Sequence, residues 1–505
     1  MTSSLRTLIL RGTDIHEILI QADVSRRGFP QFRIVGLPHK SVVESRERIK
    51  SAIVNSKLPF PRCRTTVNLS PADMPKQGGQ LDLAIAISLM AAQSSIPQSA
   101  LSKTLFIGEL SLDGSLLPVK GLRAMILFAK EKKYTKVFFP AQQELESIEQ
   151  AEIELVPVSY FLDLVQHLQG RKQLERMRDT PTLGSENTHM HPVDFRNIVG
   201  QKEAKRALEI AAIGQHHMFM VGPPGIGKTL LAKALHSILP HPQGKEKEEL
   251  AYISSIAMND TNQGNTTRPF VHIPAPSSLS EFFGRRGTVK VGEILKAHRG
   301  LLFLDELPEF KKECIQSLKM VLEGSHSQLQ GGLSIKNVLV QFIGAMNPCP
   351  CGNYGHPTKR CTCSLQSIHR FENKIPSAVH DRVDIHISLH DVEYSHISDE
   401  SESSQKILSR VEKARELSYK RIAKAHINEE NEYPNAHLPV DLLEKLCPIT
   451  AQSHAYLDAA MQRYGLSLRA YHSIVRVSRS IADLELSEHI SYEHIQEALG
   501  YRVRV

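Results

Sequence analysis

The chain has 505 residues, room for about three domains of ordinary size. With 41% hydrophobic and 23% charged residues it reads as a folded globular protein, which excludes a disordered one. Lys plus Arg number 61 against 54 Asp plus Glu, and the resulting +7 permits a polyanionic partner without arguing for one. No run of about 18 uncharged apolar residues occurs, which excludes a membrane-spanning helix. Residues 1–11 lack the basic stretch and long apolar core of a secretory signal. Seven cysteines, four of them within 349–363, do not make a disulfide framework in a chain this long. A soluble cytoplasmic protein is the expectation.

Residues 1–168 mix strand-like runs (66–69, 136–139) with helix-like runs (41–55, 81–92), so the first block is expected to be an α/β or α+β domain. Residues 169–192 are polar, with Pro, Gly, Ser and Thr, and read as a linker. Residues 193–390 alternate apolar strands with helical segments, the pattern of a parallel sheet covered by helices. Residues 391–404 are acidic and serine-rich, a second linker. Residues 405–505 have almost no β-branched runs and read as a helical bundle, its last helix starting at Ser491 as N-cap ahead of Glu493 and Glu497.

The sharpest feature of the middle block is GPPGIGKT at 222–229, between an apolar strand (218–221) and a helix (230–235). It fits G-x-x-x-x-G-K-[ST]. Gly222, Pro223, Pro224, Gly225, Ile226 and Gly227 let consecutive backbone N–H groups curl around phosphate oxygens. The helix that starts near Leu230 adds its positive end. Lys228 can reach the β- and γ-phosphates, and the Thr229 hydroxyl can ligand Mg²⁺. A second strand, 301–304, ends in Asp305 and Glu306. Asp305 would hold Mg²⁺ through water and Glu306 would polarise the attacking water; an acidic helix cap is the plainer alternative. A third strand, 338–345, runs into Asn347, which either orients that water or simply makes a turn.

CPCGNYGHPTKRCTC places Cys349 and Cys351 near Cys361 and Cys363. Four thiolates in two close pairs suit a tetrahedral Zn²⁺, with His356 as a substitute ligand and unliganded thiols as the alternative. Lys359 and Arg360 between the pairs are candidates for contact with DNA.

The loop, VGEILKAHRGLLFLDELPEF (291–310), GAMNPCPCG (344–352), HDRVDIH (380–386) and LSLRAYHSIVRVSRSIADL (466–484) together resemble the magnesium-chelatase-like branch of the AAA+ superfamily. With the N-terminal block included, the resemblance narrows to the ComM/YifB family. It implies an AAA+ P-loop parallel sheet with a C-terminal helical lid, preceded by an α+β Lon-protease-like domain. It also implies an ATP- and Mg²⁺-dependent DNA translocase and helicase, a homo-hexamer that drives branch migration of single-stranded and branched DNA during natural transformation, with recombinase-type proteins as further partners. Arg382 would be an arginine finger reaching a neighbouring protomer, and Arg469 the sensor-2 arginine of the lid. An internal ion pair of Arg382 with Asp381 or Asp384 is the alternative. Arg469, His472, Arg476 and Arg479 fall on one helical stripe, either solvated or facing nucleotide or a neighbour. Arg285, Arg286 and Lys290 are candidate grips on a phosphate backbone. PFVHIPA (269–275) and Val291 depart from the family pattern, in stretches expected to be insertions near a central pore.

Residues 31–160 resemble the proteolytic domain of Lon, which uses a Ser–Lys dyad. Here Gln80 stands at the nucleophile position and Arg123 at the base position. Gln is no nucleophile and Arg does not give up its proton, so no peptidase activity is expected. A dyad shifted onto Ser70, Lys76 or Lys120 is the remaining protease reading. A chelatase-type or unfoldase-type motor acting on a substrate other than DNA is the competing function.

Overall fold

A computed structural model describes residues 2–11, 14–25, 29–37, 40–76, 78–143, 145, 153–177, 193–257, 267–284, 291–323, 338–390, 402–425 and 434–502. In the first block, β1 (Thr2–Arg11), β2 (Asp14–Ser25), β3 (Gln31–Val35), α1 (Lys40–Asn55), β4 (Arg64–Ser70) and α2 (Asp82–Ala92) come first. The strands form one sheet in the order β1-β2-β4-β3, antiparallel except for the β3–β4 pair. Nearly every residue of α2 is buried, as expected of a helix whose sequence, DLAIAISLMAA, has no polar face. There follow β5 (Thr104–Phe106), β6 (Glu109–Leu110), β7 (Leu116–Leu117), α3 (Leu122–Glu131), β8 (Lys136–Pro140), β9 (Glu154–Val158) and α4 (Phe161–Leu168). Strands β5, β8 and β9 make a parallel three-stranded sheet, so the block is mixed α+β.

The middle block runs α5 (Lys202–Gly214), β10 (Met218–Val221), α6 (Lys228–Ser237), α7 (Gly244–Ala257), β11 (Phe270–Ile273), α8 (Leu279–Phe283), α9 (Glu293–Lys296), β12 (Leu301–Leu304), α10 (Lys312–Leu322), β13 (Gln341–Met346), α11 (Leu365–Glu372), α12 (Ser377–His380) and β14 (Ile385–Ser388). Among the described residues its five strands are all parallel, in the order β11-β12-β13-β10-β14. Sheets of this kind are buried on both faces, which is why MFMV, LLFL and QFIGAM read as unbroken apolar runs. The stretch 269–275 is not a pore insertion: residues 270–273 are the edge strand β11 of this sheet. Val291 is likewise buried, in an apolar cluster with Leu8, Leu122 and Phe139 of the first block and Ile256 of α7. The Gly121 N–H also donates to the Ser255 carbonyl at 3.2 Å, so the first block rests directly on α7.

The last block is helical: α13 (Ser404–Lys424), α14 (Val440–Leu446), α15 (Ala451–Tyr464), α16 (Leu468–Leu484) and α17 (Tyr492–Gly500), the last N-capped by Ser491. Helix α16 packs on α5 through Ile474, Val475 and Ile481 and joins the core beneath β10. The proposed basic stripe divides. Arg479 is fully buried against Asp483, which Arg421 and Asn435 also bind, and Arg476 donates to the Leu438 carbonyl at 2.7 Å. Those two arginines tie the bundle together, Arg479 from the interior and Arg476 from a partly exposed position. Only Arg469, at the start of α16, remains exposed. No helix among the described residues is long and apolar enough to cross a membrane.

Candidate nucleotide-binding site

Ligands of open parallel sheets bind beyond the carboxyl ends of the strands. Here three such ends meet. The loop after β10 turns through Gly225 (φ +83°) and Gly227 (φ +94°), conformations that a side chain disfavours, and delivers Lys228 into the first turn of α6. Lys228 Nζ donates to the Gly222 carbonyl at 2.8 Å, the Pro223 carbonyl at 3.0 Å and Asn347 Oδ1 at 3.0 Å. Burial lowers the pKa of this ammonium, and the Asp305 and Glu306 carboxylates act in the opposite direction. Thr229 Oγ1 donates to Asp305 Oδ2 at 3.0 Å, so the two oxygens expected to serve Mg²⁺ are already adjacent. Asp305 and Glu306 follow the last residue of β12, and Asn347 that of β13. Glu306 has φ +52°, an uncommon backbone for a residue with a side chain. It lines a cavity of about 390 Å³ with Asn347, Pro350, Ser367, Arg370 and Lys374. Arg370 and Lys374 gave no sequence signal; they are brought there by α11 and the turn after it, which follow the cysteine pairs.

The four thiols Cys349, Cys351, Cys361 and Cys363 lie within 4.8 Å of one another. Sulfur separations of 3.4, 3.6 and 3.7 Å join Cys349, Cys351 and Cys361. Tetrahedral zinc with bonds of about 2.3 Å requires sulfur–sulfur edges of about 3.8 Å, so the donor set fits such an ion. The backbone N–H groups of Asn353 and Thr362 hold the Cys351 thiol down to about 5, while the neighbouring sulfurs push Cys361 and Cys363 up, as when one thiolate is shared among close thiols. His356 is not a member: its Nδ1 accepts from the Thr358 and Lys359 backbone at 3.2 Å each. Lys359 and Arg360 are exposed on the same loop. Gly352, at φ +79°, lies so close to Pro224 that a Cβ there would sit 2.6 Å from the proline Cδ. The cysteine loop is therefore packed against the phosphate loop.

Arg382 does not pair with Asp381 or Asp384. Asp384 is taken by His216 Nδ1 at 3.0 Å and by Ser473, and Arg502 lies 3.9 Å from Asp381. Arg382 instead binds Glu323 through Nε at 2.8 Å and through Nη2, and Arg469 Nη2 donates to the same Glu323 oxygen at 3.2 Å. Among the described residues neither arginine contacts the phosphate loop of its own chain. Glu323 was invisible in the sequence, where it reads as an ordinary acid at the end of a helix. The candidate grips Arg285, Arg286 and Lys290 lie outside the described residues.

In the first block, Gln80 is buried, accepting from the Leu10 N–H at 3.4 Å and donating to the Leu10 carbonyl at 3.3 Å. Lys76, also fully buried, donates to the carbonyls of Gly36 (2.9 Å) and Pro71. These are backbone clamps.

A phosphate loop, an acidic pair and a polar residue at the ends of adjacent parallel strands, with a helical block behind, define an AAA+ protein of the magnesium-chelatase type. Family models agree along the chain: magnesium chelatase subunit ChlI matches residues 194–397, its C-terminal part 401–502, and a further ChlI model 20–143. Competence protein ComM of Haemophilus influenzae is 36% identical, over 98% of this chain and 96% of its own. The uncharacterized protein YifB of Salmonella typhimurium is 34% identical, over 97% and 95%. Lon protease 2 of Bacillus subtilis is 29% identical over 161 residues, 30% of this chain and 29% of that one. The chain belongs to the ComM/YifB family.

Proposed function

We propose that this protein is an ATP-hydrolysing DNA motor that drives branch migration during uptake and recombination of single-stranded DNA, assembled as a ring of identical protomers, a homo-hexamer as in the family expectation. The observation that carries the ATPase part is the convergence of Lys228 on Asn347 and of Thr229 on Asp305. It joins the phosphate loop to both neighbouring strand ends. Lys228 binds the β- and γ-phosphates of ATP, Glu306 orients and polarises the attacking water, and Asn347 fixes Lys228 and that water. Mg²⁺, held through Thr229 and Asp305, supplies charge neutralisation on the phosphates. Arg382 and Arg469, held on Glu323 and not on their own phosphate loop, serve a neighbour's nucleotide, so that hydrolysis occurs at protomer interfaces. The cysteine set holds a structural Zn²⁺ that stiffens the loop against Pro224.

The competence-related similarity supports DNA as the polymer moved. Lys359 and Arg360, with Arg285, Arg286 and Lys290, are the proposed phosphate grips. The clamped Gln80 favours a structural role for the Lon-like block and disfavours the protease reading. The test is displacement of a labelled strand from a three-strand DNA substrate. The wild type is expected to displace it only with ATP and Mg²⁺, and Lys228→Ala to leave it in place. Displacement by Lys228→Ala at the wild-type rate would refute the motor.

A further inference from the structure

Arg382 and Arg469 come from different elements, the turn after α12 and the first turn of α16, yet they converge on one oxygen of one carboxylate, that of Glu323 at the C-terminal end of α10. Side-chain exposure is 15% for Arg382, 37% for Glu323 and 49% for Arg469, so the cluster opens to the surface. One carboxylate cannot neutralise two guanidinium groups. Neighbouring charges do not help: Asp384 is committed to His216 and Ser473, and Asp381 faces Arg502. The cluster keeps a net positive charge, and both arginines stay available to a more highly charged acceptor. A terminal phosphate offers more negative charge and three oxygens, against the single oxygen they share now.

Resting on the reading that these arginines act on a neighbouring protomer's nucleotide, we propose that Glu323 is a positioning and specificity residue that stores Arg382 and Arg469 as a preassembled pair and competes with the γ-phosphate for them. A terminal phosphate displaces Glu323; a diphosphate, one group short, does not. Glu323 thereby sets the threshold at which an interface recognises ATP over ADP. After cleavage and loss of orthophosphate, the two guanidinium groups return to the carboxylate.

The experiment uses the full-length protein as wild type, Glu323→Gln, Glu323→Asp and Glu323→Ala, each also in an Arg382→Ala/Arg469→Ala background. Three quantities are read: KM and kcat for ATP, the concentration of the slowly hydrolysed analogue ATPγS at half-maximal assembly, and the same midpoint with ADP. Glu323→Gln and Glu323→Ala are expected to lower KM and the ATPγS midpoint about three- to tenfold and to shift the ADP midpoint less. Glu323→Asp, which keeps the charge, should return towards wild type. In the double-arginine background the shift in the ATPγS midpoint should vanish. An unchanged or raised midpoint in both neutral variants, or an equal shift without the arginines, overturns the proposal. Failure of the underlying reading looks different: Arg382→Ala alone would then keep wild-type turnover.

Discussion

In the proposed reaction Lys228, Glu306 and Arg382 carry separable parts, and their substitutions should fail in separable ways. Removing the Lys228 ammonium strips the phosphates of their closest cation, so Lys228→Ala should lose nucleotide binding or turnover altogether. Glu306→Gln keeps the shape but not the base, so ATP should remain bound and uncut in a filter-binding assay. Arg382→Ala should leave binding largely intact while turnover falls by about 10³ or more, the usual contribution of an arginine finger. A largely enclosed histidine adds a pH dependence. Burial holds His437 down to about 3, with His217, His216, Asp384 and Arg476 around it. Its folded pKa lies below the ordinary value near 6.5, so the unfolded chain takes up a proton that the folded chain refuses. Stability should therefore fall as pH drops from about 6.5 toward 3. Thermal melts at pH 7.5 and 5.5 should show a smaller pH effect in His437→Asn than in the wild type; equal slopes would refute the assignment.

Among the elements, the cysteine loop is the one whose removal should reach furthest. It begins two residues after Asn347, touches Pro224 through Gly352 and leads into α11, which carries Arg370, with Lys374 in the turn just after it, to the cavity beside Glu306. Metal analysis of protein purified without chelators should return about one zinc per chain. The Cys361→Ser/Cys363→Ser variant should lose the metal and raise KM for ATP. Zinc well below one equivalent, or an unchanged KM in the metal-free variant, would count against this role. The same elements show what can be read without coordinates. The strands 218–221 and 301–304 coincide with β10 and β12, because a strand buried on both faces must be apolar throughout. The phosphate loop was legible because its chemistry depends on residues adjacent in the chain. The Glu323 cluster and the Gly352–Pro224 contact were not, since each joins residues that only tertiary folding brings together. Arg476 and Arg479 misled for a related reason: periodicity defines a helix face but does not say what packs on it, and here Asp483 and the Leu438 carbonyl receive their charges.

For the molecule as a whole, the three blocks pack directly on one another. The Lon-like block packs on α7 and Val291, the helical block packs beneath β10, and the arginines of the last two blocks meet at Glu323. The phosphate loop at the strand ends is braced by the cysteine loop, and Arg382 and Arg469 meet on the Glu323 carboxylate; in the proposed ring they would serve a neighbour's nucleotide. If the grips on DNA are phosphate contacts, binding should weaken steeply with salt and depend little on sequence. The most direct measurement is the steady-state ATP turnover of the purified full-length protein with and without single-stranded or branched DNA at fixed salt. Turnover is expected to rise several-fold with DNA, and the rise to be absent in Lys228→Ala. An identical rate with and without DNA, in protein shown to be assembled, would contradict the account.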